Sequence, residues 1–399
     1  MMTAWTLLGG ALTGVATGWW GNQLLMTLAT HAALITKNLL ELVSLPVIFL
    51  SIVSSLAGME NGQDARILGG RVLRYTLLTT ALAALIGLIL FTLINPVGDM
   101  ALLGSGASPA LDTTSYGSFF LSMIPSNLVH VFSGQAGVMA VVFVGLLFGS
   151  AILTLQGAER AILRDGFTAL FSLMIAITRF ILRIMPFGVW AFTALFVHGM
   201  HDEASKLTQI GWYIVVVLLA NIIQGTVILP LFVWLKGLSP HRLFTAFRPA
   251  LGFAFLSKSS NMTLPITLEC ARENAGISEK IARFSFPLCA TINMNGCAAF
   301  ILITILFVAG TSGIPLTLYD KLFWLLLATG AAVGNAGVPM GCFFLTTAFL
   351  IHFGMPVELM GIILPVYSLL DMVETTLNVW SDACVTAVVN QECTQRTCK

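Results

Sequence analysis

The sequence predicts an all-α integral membrane protein with eight transmembrane helices plus two re-entrant helical hairpins, and three observations carry that prediction. The 399 residues are 57% apolar and only 9% charged, against about 25% charged in soluble domains, so the polar shell that a water-soluble core of this size requires is missing. Apolar stretches of roughly the 20 residues needed to cross the hydrocarbon recur along the chain. Two late stretches break the pattern, with polar and Gly/Pro runs in their middles. The balance of 19 basic and 18 acidic residues excludes nucleic acid as a partner, because no basic domain exists to meet it.

Six early segments qualify as spans: 4–21, 39–58, 72–95, 138–156, 167–197 and 212–234. The first has no basic residue before its apolar run and no small-residue cleavage pattern, and reads as a span rather than a signal peptide. The sixth is bracketed by Trp212 and Trp234, as interfacial aromatic belts require. Basic residues in the connections set the orientation. Loop 59–71 holds Arg66 and Arg71, loop 157–166 holds Arg160 and Arg164, and loop 235–258 holds Lys236, Arg242, Arg248 and Lys258; loop 96–137 has no Lys or Arg, and loop 198–211 has only Lys206. The first three face the cytoplasm, as does the N-terminus.

Beyond residue 240 the pattern changes. Segment 249–268 carries Ser257, Lys258, Ser259, Ser260, Asn261 and Thr263 where a spanning helix has its middle, and segment 322–351 is interrupted by Gly334-Asn335-Ala336-Gly337-Val338-Pro339. Irregular backbone at membrane depth survives only under a cover of protein or around a water-filled cavity, so both tips are expected in the interior. Each hairpin precedes an apolar helix with polar residues: Asn293 and Asn295 after the first, Asp371, Glu374, Asn378 and Asp382 after the second. Paired interruptions of this kind point to a secondary transporter's binding site.

The last four residues are spaced i, i+3, i+7 and i+11, and at roughly 100° per residue they share a sector of about 80° on one helix face. An ionisable group at a helix centre costs about 2.5–3.5 kcal/mol on insertion scales, so such groups face a polar interior and serve function by default. Three like charges on one face require cations or protons to share them, and carboxylate, amide and backbone oxygens suit a small hard cation. A cation-coupled solute site follows.

Other classes fit less well. An intramembrane aspartyl protease needs carboxylates on two facing helices, whereas Asp371 and Asp382 share one. A channel or scaffold needs no pair of hairpins around a carboxylate stripe. His31, His130, His198, His201, His241 and His352 form no metal-ligand spacing. Asn221 and Gln224 read as interhelical hydrogen-bonding groups, and Arg179 and Arg183 as snorkelling side chains. Cys289, Cys297 and Cys342 lie in apolar stretches, where a free thiol behaves as a small hydrophobe, and read as reduced structural residues. Cys393 and Cys398 stand close enough in sequence to bridge.

Four stretches now carry a family resemblance. Lys258-Ser259-Ser260-Asn261-Met262-Thr263-Leu264-Pro265, Ala290-Thr291-Ile292-Asn293-Met294-Asn295-Gly296, Ala336-Gly337-Val338-Pro339 and Asp371-Met372-Val373-Glu374-Thr375-Thr376-Leu377-Asn378-Val379-Trp380-Ser381-Asp382 resemble, in this order, the first hairpin tip, the seventh-helix motif, the second hairpin tip and the last helix of the dicarboxylate/amino acid:cation symporter family, which includes the glutamate transporter homologues. The resemblance spans nearly the whole chain.

It implies a homotrimer in the cell inner (plasma) membrane, with both termini cytoplasmic. Residues 1–71 would form scaffold helices 1 and 2, 72–95 helix 3 of a moving transport unit, and 138–197 scaffold helices 4 and 5. The rest of the transport unit would occupy 212–390, comprising helix 6, hairpin 1 over 243–274, helix 7 over 280–309, hairpin 2 over 320–351 and helix 8 over 357–390. Residues 391–399 would be a cytoplasmic tail.

The resemblance further implies that Asp371 binds a substrate amino group, while Ser259, Ser260, Cys297, Thr375, Asn378 and the tip from Val338 and Pro339 through Gly341 and Cys342 hold and close over its carboxylate end. One sodium site would use Cys289, Asn293, Asn378 and Asp382; a second Thr291, Ala332, Val333 and Asn335; a third Thr76, Thr79, Thr80, Asn293 and Asn295. No cofactor beyond coupled sodium or a proton is implied.

The departures sharpen the reading. Glu374 replaces the arginine that pairs with an acidic substrate's side chain, Asn295 replaces an aspartate, Cys297 a threonine, and Tyr367 a further aspartate. The sequence therefore leaves two solute classes open, an amino acid or dicarboxylate as in the family at large, or a neutral or cationic amino acid selected by Glu374 with altered coupling.

Overall fold

The structure is a computed structural model that describes residues 4–58, 63–98, 124–131, 137–199, 205–335 and 340–397. Every regular element among them is helical. In chain order they are α1 (Ala4–Trp20), α2 (Gln23–Ala57), α3 (Gln63–Ile94), the single turn α4 (Leu128–Val131), α5 (Gly137–Thr154), α6 (Gly157–Gly199), α7 (Ser205–Ile223), α8 (Leu229–Leu235), α9 (Pro240–Ser257), α10 (Ser260–Glu269), α11 (Glu279–Ile292), α12 (Asn295–Thr311), α13 (Leu318–Val333), α14 (Gly341–His352) and α15 (Glu358–Thr397). Among the described residues, four stretches, 67–94, 157–181, 208–235 and 279–311, are long and apolar enough to cross a membrane.

The helices form two groups. In the first, α1 and α2 lie along α6, and α5 lies on α2. Close approach comes from glycine: a Cβ on Gly10, Gly14 or Gly18 would stand 2.4–2.6 Å from the carbonyl oxygens of Pro186, Trp190 and Ala194 on α6, the small-residue packing that membrane helices use in place of a hydrophobic drive. In the second group α12 is the central post. Its apolar residues from Ala298 to Ala309 are all buried by α3, α7, α13, α14 and α15.

Local chemistry explains the ends and breaks that matter. Ser239 caps α9, with Pro240 at its first position, and α9 stops at Lys258, whose φ of 56° is left-handed. Ser259 then caps α10 by accepting from Met262 N. This is the stretch expected as the first hairpin tip. Thr317 and Asp320 form a reciprocal capping box on α13, which satisfies donors that a helix start otherwise orphans. Between α13 and α14 lies the second expected tip, of which 336–339 fall outside the described residues.

Several boundaries correct the sequence expectations. The predicted helix 7 is two helices, because Asn293 and Met294 take non-helical angles (φ −98°, ψ 70° and φ −108°, ψ 69°). Helix replaces much of the expected connections 59–71 and 157–166, and residues 391–397 continue α15 rather than forming a tail. Between α7 and α8 the helix passes through a π-turn at Gln224–Ile228, which frees the Gly225 carbonyl to accept Trp380 Nε1 of α15 at 3.0 Å. At one end of the second group Arg71 Nη1 donates to Cys393 Sγ at 3.1 Å, Lys236 Nζ to Tyr75 Oη at 2.6 Å and to Glu392 at 3.0 Å, and Tyr75 to Glu392. These bonds tie α3, the end of α8 and α15 together.

Candidate solute and cation site

The polar stripe of α15 faces the broken helices. Asp371, Glu374, Thr375, Asn378, Ser381 and Asp382 are all buried, so Asp382 belongs to the interior and not to an interface. Two of these side chains cap half-helices. Asp371 Oδ2 accepts from Met340 N at 3.1 Å, placing a carboxylate at the N-terminal end of α14, where the helix dipole favours it. Asn378 Oδ1 accepts from Gly296 N at 2.9 Å, serving the start of α12, whose own cap residue Met294 supplies no side-chain bond. The fit is close: a Cβ on Gly296 would stand 2.9 Å from Glu374 Cα and 2.8 Å from Asn221 Oδ1.

Glu374 is held differently. Its Oε2 accepts from Tyr367 Oη at 3.3 Å, and Tyr367 is wedged between Phe300 and Phe343, with centroids 4.7 and 5.3 Å away. The other oxygen, Oε1, is buried with no hydrogen-bond partner. A carboxylate oxygen can only accept, and leaving one desolvated is costly.

Around the break at Asn293 the oxygens crowd together. Asn293 Nδ2 donates to Asp382 Oδ1 at 2.9 Å and Ser381 Oγ at 3.0 Å. Asn295 Nδ2 donates to Ser381 Oγ at 2.8 Å and Asn293 Oδ1 at 3.0 Å, and lies 3.4 Å from Thr79 Oγ1. Thr79 Oγ1 reaches Asn293 Oδ1 at 3.3 Å. Thr76 and Thr80 are fully buried on the same helix, and the Thr80 hydroxyl lacks a partner. Clustered, desolvated carboxylate, amide and hydroxyl oxygens are the donor set that a small hard cation fits.

Of the residues carried over by resemblance, the structure thus brings together Thr79, Asn293, Asn295, Asn378 and Asp382. The Cys289 carbonyl accepts from Asn293 N at 2.8 Å. Thr291, Ala332 and Asn335 are buried and Val333 half-buried near the ends of α11 and α13, which touch. Ser259 and Ser260 are buried at the first tip. Gly341 opens α14, and a Cβ there would stand 2.1 Å from Asn335 Oδ1. Val338 and Pro339 lie outside the described residues.

One expectation is overturned. Cys297 and Cys342 are not free thiols: they are joined in a disulfide, with Cα atoms 5.3 Å apart, because the broken seventh helix turns Cys297 toward the start of α14. Cys289 is a thiol, and Cys398, the expected partner of Cys393, lies outside the described residues.

Three participants had escaped the sequence reading as site residues. Lys258, in the serine-rich stretch between α9 and α10, donates to Ser368 Oγ at 2.5 Å, placing a cation beside the stripe; its setting among those serines was the available signal. Gln224 Nε2 donates to Asn295 Oδ1 at 2.8 Å and the Thr79 carbonyl at 3.0 Å, an interhelical role the sequence did suggest. Ser381 joins both asparagines.

A helical membrane protein whose broken helices converge on buried carboxylates, amides and hydroxyls belongs to the class of ion-coupled solute transporters rather than enzymes. The model of the sodium:dicarboxylate symporter family matches residues 2–392. Similar proteins include human neutral amino acid transporter A (28% identical, covering 99% of this chain and 82% of that one), human neutral amino acid transporter B(0) (29%; 87% and 70%) and human excitatory amino acid transporter 3 (27%; 90% and 78%). The chain belongs to the sodium:dicarboxylate symporter family.

Proposed function

We propose that this protein couples sodium to the transport of a neutral amino acid whose side chain donates a hydrogen bond. The observation that carries the reading is Glu374 Oε1, buried and unpartnered, which asks for a donor that the chain itself does not supply. A hydroxyl or amide on the solute would supply it, whereas a second carboxylate would meet like charge. Some relatives are named neutral amino acid transporters, in keeping with this choice.

In the proposed mechanism Asp371 receives the solute's ammonium, and Thr375, Asn378, the Ser260 backbone and the second hairpin tip hold its carboxylate. Lys258 offsets part of the negative charge. Sodium ions occupy the oxygen cluster around Asn293, Asn295, Asp382 and the threonines of α3; with Asn295 in place of an aspartate, that part of the cluster binds its ion without a formal charge from residue 295. The second helix group, with α3, moves as the transport unit against α1, α2, α5 and α6, in a plasma-membrane homotrimer with cytoplasmic termini.

Thermal shift of the purified protein tests the reading, since a ligand that binds only the folded state raises stability by mass action. Serine, threonine, asparagine or glutamine is expected to raise the melting temperature in sodium and not in potassium. Stabilisation by aspartate or glutamate with none by the neutral set would overturn it.

A second reading rests on a specific observation. Asp371 and Glu374 stand one turn apart with Lys258 as the cation beside them, so a co-transported proton on Glu374 would serve in place of one sodium. Identical pH profiles of uptake in the parent and in Glu374→Gln would remove that role.

A further inference from the structure

The bonded pair Cys297–Cys342 lies among the groups assigned to the solute. Both residues are buried. Asn335 Nδ2 lies 2.9 Å from Cys297 Sγ and 3.2 Å from Cys342 Sγ, and a Glu374 carboxylate oxygen lies within 4.8 Å of both sulfurs. Asn378 Nδ2 is 3.7 Å from Cys297 Sγ. The pair is therefore in direct contact with groups assigned to the solute. Cys297 is in the first turn of α12, the central post, and Cys342 in the first turn of α14, the returning arm of the second hairpin. The Cα separation of 5.3 Å lies within the range that a disulfide spans without backbone movement.

We propose that Cys297 and Cys342 are a redox modification site, a reversible dithiol–disulfide couple whose oxidation pins the hairpin arm to the central helix and stops transport. The inference rests on the transport reading, and adds to it a regulation of the same site. In the oxidised state α14 cannot draw away from α12, so a solute can neither enter nor leave between them. In the reduced state the covalent tie is gone and the Asp371 cap on Met340 N remains. The oxidant is a small-molecule disulfide, RSSR: one cysteine thiolate attacks it to give a mixed disulfide and RS⁻, the second thiolate displaces the other RS⁻, and two RSH leave after protonation. Two electrons pass from the cysteine pair to RSSR. The oxidant reaches the pair by the solute's own path, so bound solute is expected to shield it.

The experiment uses the full chain in proteoliposomes, treated with oxidised glutathione or with dithiothreitol, and reads uptake beside the mass of protein denatured in maleimide. The expected result is that glutathione removes two maleimide additions and lowers sodium-driven serine uptake at least ten-fold, that dithiothreitol restores both, and that saturating serine slows the loss. Cys297→Ser and Cys342→Ser are each expected to show one rate in both treatments, whatever that rate is.

Parent protein that transports equally well with the pair oxidised, or whose pair cannot be oxidised at all, overturns the proposal. Absence of serine uptake even after dithiothreitol counts instead against the transport reading; hydrogen exchange over 341–352 then decides the redox site, slower exchange in the oxidised protein supporting the pin and equal exchange overturning it.

Discussion

Two helical stretches of this chain invite comparison. Gly157–Ile181, at the start of α6, and Glu279–Thr311, covering α11 and α12, are both long and apolar enough to span a membrane, with mean hydropathies of 1.5 and 2.1. The most apolar 18-residue window of the first is almost entirely unburied by the chain, and that of the second is entirely buried. Apolarity therefore assigns a segment to the membrane but does not say what surrounds it there. What draws the second stretch inside is its polar break, Asn293 to Gly296, whose groups must find partners on α3, α7 and α15 because lipid offers none.

Predictions that test this contrast begin with the carboxylate at the centre. Asp371→Asn removes a charge-assisted bond worth up to about 3 kcal/mol from both the Met340 amide and the solute ammonium, and uptake at subsaturating solute is expected to fall about 100-fold. An unchanged rate would move the solute elsewhere.

Glycines separate the two stretches next. Gly296→Ala drives a Cβ to 2.9 Å from Glu374 Cα, and overpacking of this kind costs about 1–3 kcal/mol, read as a lower melting temperature. Gly166→Ala, in the exposed part of α6 with nothing within 4 Å, is expected to raise stability by up to about 1 kcal/mol through helix propensity alone. If both changes shift stability in the same direction, the contrast fails.

The smallest effect concerns cation affinity. Asn295→Asp adds a formal charge beside Asn293 and Thr79, and the half-saturating sodium concentration for uptake is expected to fall about three-fold. A rise would place the ion away from residue 295.

The stripe and the two polar interruptions were legible because they break rules that lipid enforces. Carboxylates at helical spacing and Gly-Asn-Ala-Gly-Val-Pro at membrane depth are too costly to occur without a reason. The division of the seventh helix was not legible: Asn293-Met294-Asn295 has no proline, and the break depends on partners from distant helices, such as Asn378 on Gly296 N. The bonded cysteines were missed for the same reason, since 45 residues separate them and only the break brings Cys297 to the hairpin. Lys258 had been counted among loop charges that set orientation, and the left-handed end of α9 places it instead beside Ser368. Boundaries such as 59–71 were misjudged because the charged residues of Gln63–Arg71 belong to a helix rather than to a connection.

The central claim is that the oxygens around Asn293 and the carboxylates of α15 form one coupled site. Uptake of labelled serine into sealed proteoliposomes, under an inward sodium gradient and with the cysteine pair kept reduced, tests it most directly. The account predicts accumulation above the external concentration that collapses when sodium is equal on both sides and is lost in Asp371→Asn and in Asp382→Asn. Accumulation of equal extent without a sodium gradient, or retained in both variants, would contradict it.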